Sequence, residues 1–167
     1  MRAIVDSGPI IALSKVCLLD LLPVLFETII VPEDVRNEVA RAGETRPGFE
    51  IASLTCVQVM TVDSGARNGI EQTYDLDMGE AACLVLAGRE EDAVLIIDDA
   101  KALAAAKQLG LPWIRTGKVL ITAFEVSLLT MQEAERAIEH LYAEHYLGAT
   151  ARRDVLAMLR RAGRQQR

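Results

Sequence analysis

The chain has 167 residues, of which 51% are apolar and only 4% aromatic, and a net charge of −6. That length supports one domain with a sizeable core filled by Leu, Ile, Val and Ala. It offers no run of roughly 18 apolar residues for a membrane span, no signal-peptide pattern, and in Cys17, Cys56 and Cys83 neither a Cys-x-x-Cys zinc pair nor an even disulfide set, so no membrane role and a reducing cytoplasm are expected.

Residues 2–5 read as a short buried strand ending at Asp6. Pro9 starts a helical stretch through Leu13, and helical apolar spacing continues from Leu18 to Phe26. Residues 28–31 (Thr-Ile-Ile-Val) are β-branched and give strand two. Pro32 suits a helix start, Glu33 and Asp34 suit its positive end, and that helix runs to about residue 42 before Gly43. Residues 43–55 read as a loop, 57–62 as a third strand, and 63–69 as a turn on Ser64-Gly65 and Asn68-Gly69. A helix over 78–90 precedes strand four at 93–97, which is followed by a helix over 99–109 that Gly110 ends. Residues 111–115 give a short fifth strand. Thr116 is placed to cap a helix to about 128, Thr130 with Glu133 forms a capping box for the next, and a last helix covers 150–162. The alternation of strand and helix predicts an α/β domain with a mainly parallel sheet.

Five carboxylates stand out by position. Asp6 ends strand one, Glu38 lies in the helix after strand two, Glu80 opens the helix at 78–90, and Asp98 and Asp99 end strand four. In open α/β sheets, ligands bind beyond the carboxyl ends of strands, at a topological switch point. Acids gathered there repel, and protonation or a hard cation must relieve them. Mg²⁺ and Mn²⁺ suit an all-oxygen donor set and commonly serve phosphate chemistry, so phosphodiester cleavage is the leading expectation. Each acid also has a local role open to it: Asp6, Asp98 or Asp99 as a helix cap, Asp77 and Glu80 as a capping box, and Glu38 as a partner for Arg41.

Other chemistry has little support. His140 and His145 lie five apart, diverge on a straight helix, and read as surface residues. Thr116-Gly117-Lys118 resembles the end of a phosphate loop, but Pro112 stands where its upstream glycine belongs. Ser7 and Thr116 are polar groups at strand ends, able to line the acidic crevice or to cap helices. Residues 151–167 hold six arginines against Asp154, a local charge of +5 that leaves −11 on the rest. Such a tail suits phosphate backbones or simply a solvated helix face.

Three stretches carry a resemblance. Ile4-Val5-Asp6-Ser7-Gly8-Pro9-Ile10-Ile11-Ala12-Leu13, Leu76-Asp77-Met78-Gly79-Glu80-Ala81-Ala82 and Leu95-Ile96-Ile97-Asp98-Asp99-Ala100-Lys101-Ala102 resemble PIN-domain proteins. They are closest to a prokaryotic group with the signatures Asp-Thr-Ser-Pro-Leu-Ile, Gly-Glu-Ala and Asp-Asp-x-Lys-Ala. The similarity covers about residues 3–125. It implies a three-layer α/β/α fold, a parallel sheet ordered 3-2-1-4-5, and a Mg²⁺- or Mn²⁺-dependent ribonuclease like toxins of the VapC type. On this reading residues 1–130 form the nuclease domain, and 131–167 are a helical extension packed on it with a basic tail.

The resemblance makes Asp6, Glu38, Glu80 and Asp99 the catalytic acids. Asp6, Glu80, Asp98 and Asp99 would bind metal, and Ser7 and Thr116 would support them. Arg152, Arg153, Arg160 and Arg161 are expected to contact RNA phosphates without reading sequence. Expected partners are RNA, an antitoxin protein and a second copy of the chain. Two positions depart from the pattern: Ser7 replaces a Thr, and Ile97 replaces the Thr before the last acid, removing a hydroxyl that would position an acid or a water. A non-catalytic PIN-like interaction module is the alternative. A receiver-type phosphoacceptor fits less well, because its acid pair follows strand one rather than strand four.

Overall fold

The computed structural model describes residues 1–167 except 42, 44, 55, 166 and 167. Five strands form one sheet: β1 (Arg2–Val5), β2 (Thr28–Pro32), β3 (Val57–Met60), β4 (Ala93–Ile96) and β5 (Trp113–Ile114). All pairings are parallel and the order is β3-β2-β1-β4-β5, as the resemblance implies. The central strands are continuous apolar runs because helices cover both faces. Ala3, Ile4, Val5, Ile29, Ile30, Val31, Leu95 and Ile96 have no exposed surface.

Helices α1 (Ser7–Lys15), α2 (Leu21–Leu25) and α3 (Glu33–Arg41) follow β1 and β2. A 3-10 turn, Phe49–Ser53, leads to β3, and α4 (Ser64–Tyr74) and α5 (Met78–Ala87) return the chain to β4. Helix α6 (Ala100–Gln108) joins β4 to β5, and α7 (Thr116–Glu125), α8 (Met131–Ala143) and α9 (Ala149–Gln165) complete the fold. The chain moves outward from β1 to β3 and then crosses back to β4, so the topological switch lies between β1 and β4. Their register (Ile4↔Leu95, Val5↔Ile96) aligns the two strand ends. The Asp6 N–H donates to the Ile96 carbonyl at 3.1 Å and fixes that alignment.

Two local expectations are corrected. The stretch 63–69 is the start of α4, not a turn. Asp63 caps it by accepting from the Ala66 N–H at 2.8 Å, and Ile70 and Tyr74 pack on the core, which offsets the helix cost of Gly65 and Gly69. Thr116 does not cap α7 from outside; it is the first helical residue, with Arg115 as the N-cap. Most other ends differ by a few residues: α5 stops at Ala87, α7 at Glu125, and β5 shrinks to two residues. The Thr130–Glu133 capping box is present.

Helices α8 and α9 join the same core through Ile138, Leu141 and Leu159. Gly117 lets α9 approach α7 closely, since a Cβ there would stand 2.6 Å from Val155 Cγ2. Across the outer seam, Arg152 pairs with Glu139 at 2.6 Å and Arg160 with Glu135 at 3.4 Å. Among the described residues, no helix is long and apolar enough to cross a membrane.

Candidate active site

Strand β1 delivers Asp6 to the switch point, where it is 5% exposed. It is the N-cap residue of α1, yet its side chain makes no capping hydrogen bond, and its Oδ1 is buried without a partner. Capping therefore does not account for this carboxylate. Its pKa is pushed up to about 7, first by burial, against a hydrogen bond from the Ser7 N–H, and then by the charges of Glu80, Asp77 and Glu38.

Three other elements aim acids at the same place. From α3, Glu38 accepts a hydrogen bond from Ser7 Oγ at 3.2 Å. Burial of its carboxyl tip raises its pKa, Ser7 counteracts this, and Asp77 raises it again. Half-buried Glu80, in the first turn of α5, is also pushed up to about 7, first by burial and then, against a backbone hydrogen bond from Asp77, by the charges of Asp77, Asp99 and Glu38. Asp99, beyond β4, caps α6 by accepting from the N–H groups of Lys101 at 2.7 Å and Ala102 at 3.0 Å. The chain thus brings Asp6, Glu38, Glu80 and Asp99 into one electrostatic cluster.

Asp77 joins this cluster, although the sequence marks it only as a helix cap. It is a cap as well: its Oδ1 accepts from the Glu80 N–H at 2.8 Å, and Glu80 Oε2 accepts from the Asp77 N–H at 3.2 Å. Gly79 sits between them, and a Cβ there would lie 3.2 Å from Glu38 Oε2, so glycine allows α3 and α5 to close on the site. An open cleft of about 250 Å³ adjoins the cluster, lined by Asp34, Asn37, Glu38, Arg41, Asp77, Met78 and Gly79. Asn37 and Arg41 occupy the face of α3 that carries Glu38, and the sequence offers Arg41 only as a partner for that acid.

Asp98 takes a different direction from the metal role expected of it. Its carboxylate accepts from the Thr116 N–H at 3.0 Å and from Thr116 Oγ1 at 2.6 Å, and its carbonyl accepts from Arg115 at 2.7 Å. Both carboxylate oxygens hold the start of α7, so Asp98 braces the β4 and β5 ends while its neighbour Asp99 caps α6 with its charge near enough to act on Glu80. Burial raises the Asp98 pKa, against Thr116 and Arg115. Thr116, 1% exposed, supports Asp98 rather than lining the cluster, whereas Ser7 does line it.

The expected phosphate contacts are dispersed. Arg152 and Arg160 pair with α8, Arg153 with Asp154 at 3.3 Å, and Arg161 is exposed on α9. Arg167 lies outside the described residues. His140 and His145 are exposed, as expected.

A family model of the PIN domain matches residues 2–161. The chain belongs to the PIN-domain family. Members of this family are generally nucleases that use divalent metals. The match runs well past residue 125, so α8 and most of α9 are part of the family's pattern. Comparison with curated proteins and with solved structures gives no match.

The donor set of this PIN domain suits a hard divalent cation: it is all oxygen, and it includes a buried oxygen with no protein partner. Among the described residues, no three acids stand in ready ligating positions. Glu80 and Asp99 each turn an oxygen onto N–H groups at the start of their own helices. Their remaining oxygens are the ones left for a cation.

Proposed function

We propose that this PIN domain is a metal-dependent endoribonuclease that hydrolyses RNA phosphodiester bonds. The observation that carries the reading is Asp6: a buried carboxylate with an orphaned oxygen, surrounded by Glu38, Asp77 and Glu80. Mg²⁺ or Mn²⁺ would be held by Asp6, Asp99 and Glu80, with Glu38 and Asp77 at the rim. A bound cation would supply Lewis-acid polarisation of the phosphate and a more acidic water. Asp98 and Thr116 position Asp99 through the β4–α7 brace. Ser7 orients Glu38, which is placed to align a water or take its proton. Arg153, Arg160 and Arg161 are the exposed ones among the tail arginines expected to meet RNA phosphates.

The wider reading is the toxin of a toxin–antitoxin pair in the cytoplasm, with an antitoxin protein and a second copy of the chain as partners. A labelled RNA panel with Mg²⁺ or Mn²⁺ tests the chemistry. Wild type cleaves, and Asp6→Ala and Asp99→Ala each lose about 10²–10³-fold, the scale of one preorganised electrostatic group. Equal cleavage by wild type and both variants, or none by wild type, overturns the catalytic reading and leaves the interaction module, which Ile97 favours by withholding the hydroxyl expected before Asp99.

A further inference from the structure

Lys101 is a cation at the acidic cluster that the nuclease reading does not use. Its backbone N–H donates to Asp99 Oδ1 at 2.7 Å, which fixes the residue on the first turn of α6. Its ammonium reaches across to the corner between α4 and α5, where it bonds the Asp75 carboxylate and, at 3.4 Å, the Asp75 carbonyl. There it lies close enough to interact with the charges of both Asp99 and Glu80. The Asp75 pair is a loose one: the two side chains are 63% and 90% exposed, and exposed ion pairs contribute little. Asp75 is the C-cap of α4, with a left-handed backbone at φ 53, and the exposed Lys101 side chain has open solvent around it.

We propose that Lys101 is a phosphate-binding residue, parked on Asp75 in the free protein and transferred to a non-bridging oxygen of the RNA phosphate that sits over the acids. A cationic arm beside a carboxylate cluster would offset the repulsion between those acids and a polyanion, which the acids alone cannot do. The proposal rests on RNA being the ligand of this site. An arm that merely ties α6 to α4 predicts equal effects from losing either partner. An arm that leaves Asp75 for phosphate predicts opposite ones.

The experiment measures binding rather than turnover. A short fluorescein-labelled single-stranded RNA is titrated with protein in Ca²⁺, with anisotropy followed over a range of salt. Lys101→Gln weakens binding about tenfold, the scale of one charge-assisted hydrogen bond, and lowers the salt slope by about one. Lys101→Arg restores both. Asp75→Asn binds as tightly as wild type or more tightly, because the arm is released. Unchanged binding by Lys101→Gln with wild-type RNA affinity intact overturns the role of Lys101 alone. Equal weakening by Lys101→Gln and Asp75→Asn overturns it in favour of a structural tie. No RNA binding by wild type overturns the ribonuclease reading and this inference with it.

Discussion

Replacing Asp6 by Asn should stabilise the metal-free protein. Folding moves the Asp6 pKa from its ordinary 3.8 to about 7. Between those values the folded state holds a proton that the unfolded state has released. Stability therefore falls as pH rises through this window and levels off above it. The difference between 3.8 and about 7 corresponds to an upper limit of about 4 kcal/mol at 1.36 kcal/mol per pH unit. Asp6 titrates together with Glu80, so about 2–4 kcal/mol is the working range. For a domain of this size that is about 4–16 °C in melting midpoint. The assay is thermal unfolding in EDTA from about pH 4 to about pH 8, comparing wild type with Asp6→Asn. The variant melts higher at the alkaline end, and the gain disappears at the acid end. Glu27, Asp75, Glu133, Glu139 and Glu144 are held below their ordinary values by partners, so their contribution is lost only as pH falls further. Subtracting the variant curve from the wild-type curve removes them. A variant that melts lower than wild type near pH 8, or a difference that does not vary with pH, would refute the claim that Asp6 is a buried, repelled charge.

Mn²⁺ raises the melting midpoint of wild type, by about 2.7 kcal/mol of stability at a hundredfold excess over Kd, less at acid pH where protons compete, and EDTA reverses it. Asp6→Asn removes the response; calorimetric titration checks both. Thr116→Val leaves the Asp98 Oδ2 without its partner, while the backbone N–H still bonds Oδ1, and costs about 1–3 kcal/mol in a denaturant melt, with Asp98→Asn less harmful because an amide still meets Thr116. Gly117→Ala pushes Val155, and α9 with it, away from α7 and costs about 1–3 kcal/mol despite the better helix propensity of Ala, and adding Val155→Ala recovers most of the loss.

The sheet was legible because each buried strand is a short apolar run between turn signals. Leu95-Ile96-Ile97, for example, admits little else than a central strand closed by Asp98 and Asp99. The acids were legible as strand ends and helix starts, but their directions were not. Adjacent residues leave a strand end on different sides, and only the side-chain bonds decide that Asp98 turns to Thr116 while Asp99 turns to the start of α6. The capping reading and the cluster reading of Glu80 turned out to be compatible, since one carboxylate oxygen serves the helix and the whole group carries the charge. Helix α4 was obscured by Gly65 and Gly69, whose local preference is overridden by the Asp63 cap and by packing of the half-buried Ile70 and Tyr74 on the core. The arginine tail was legible as charge but not as a seam, because its acidic partners on α8 lie as far as 25 residues upstream.

The reciprocal bond between Glu80 and the Asp77 amide sets up a trade. A divalent ion that recruits the Glu80 Oε2 must take it from the opening turn of α5, leaving the Asp77 N–H to solvent. That one amide would then swap its proton for deuterium faster in the loaded protein, against the slowing expected for the molecule as a whole.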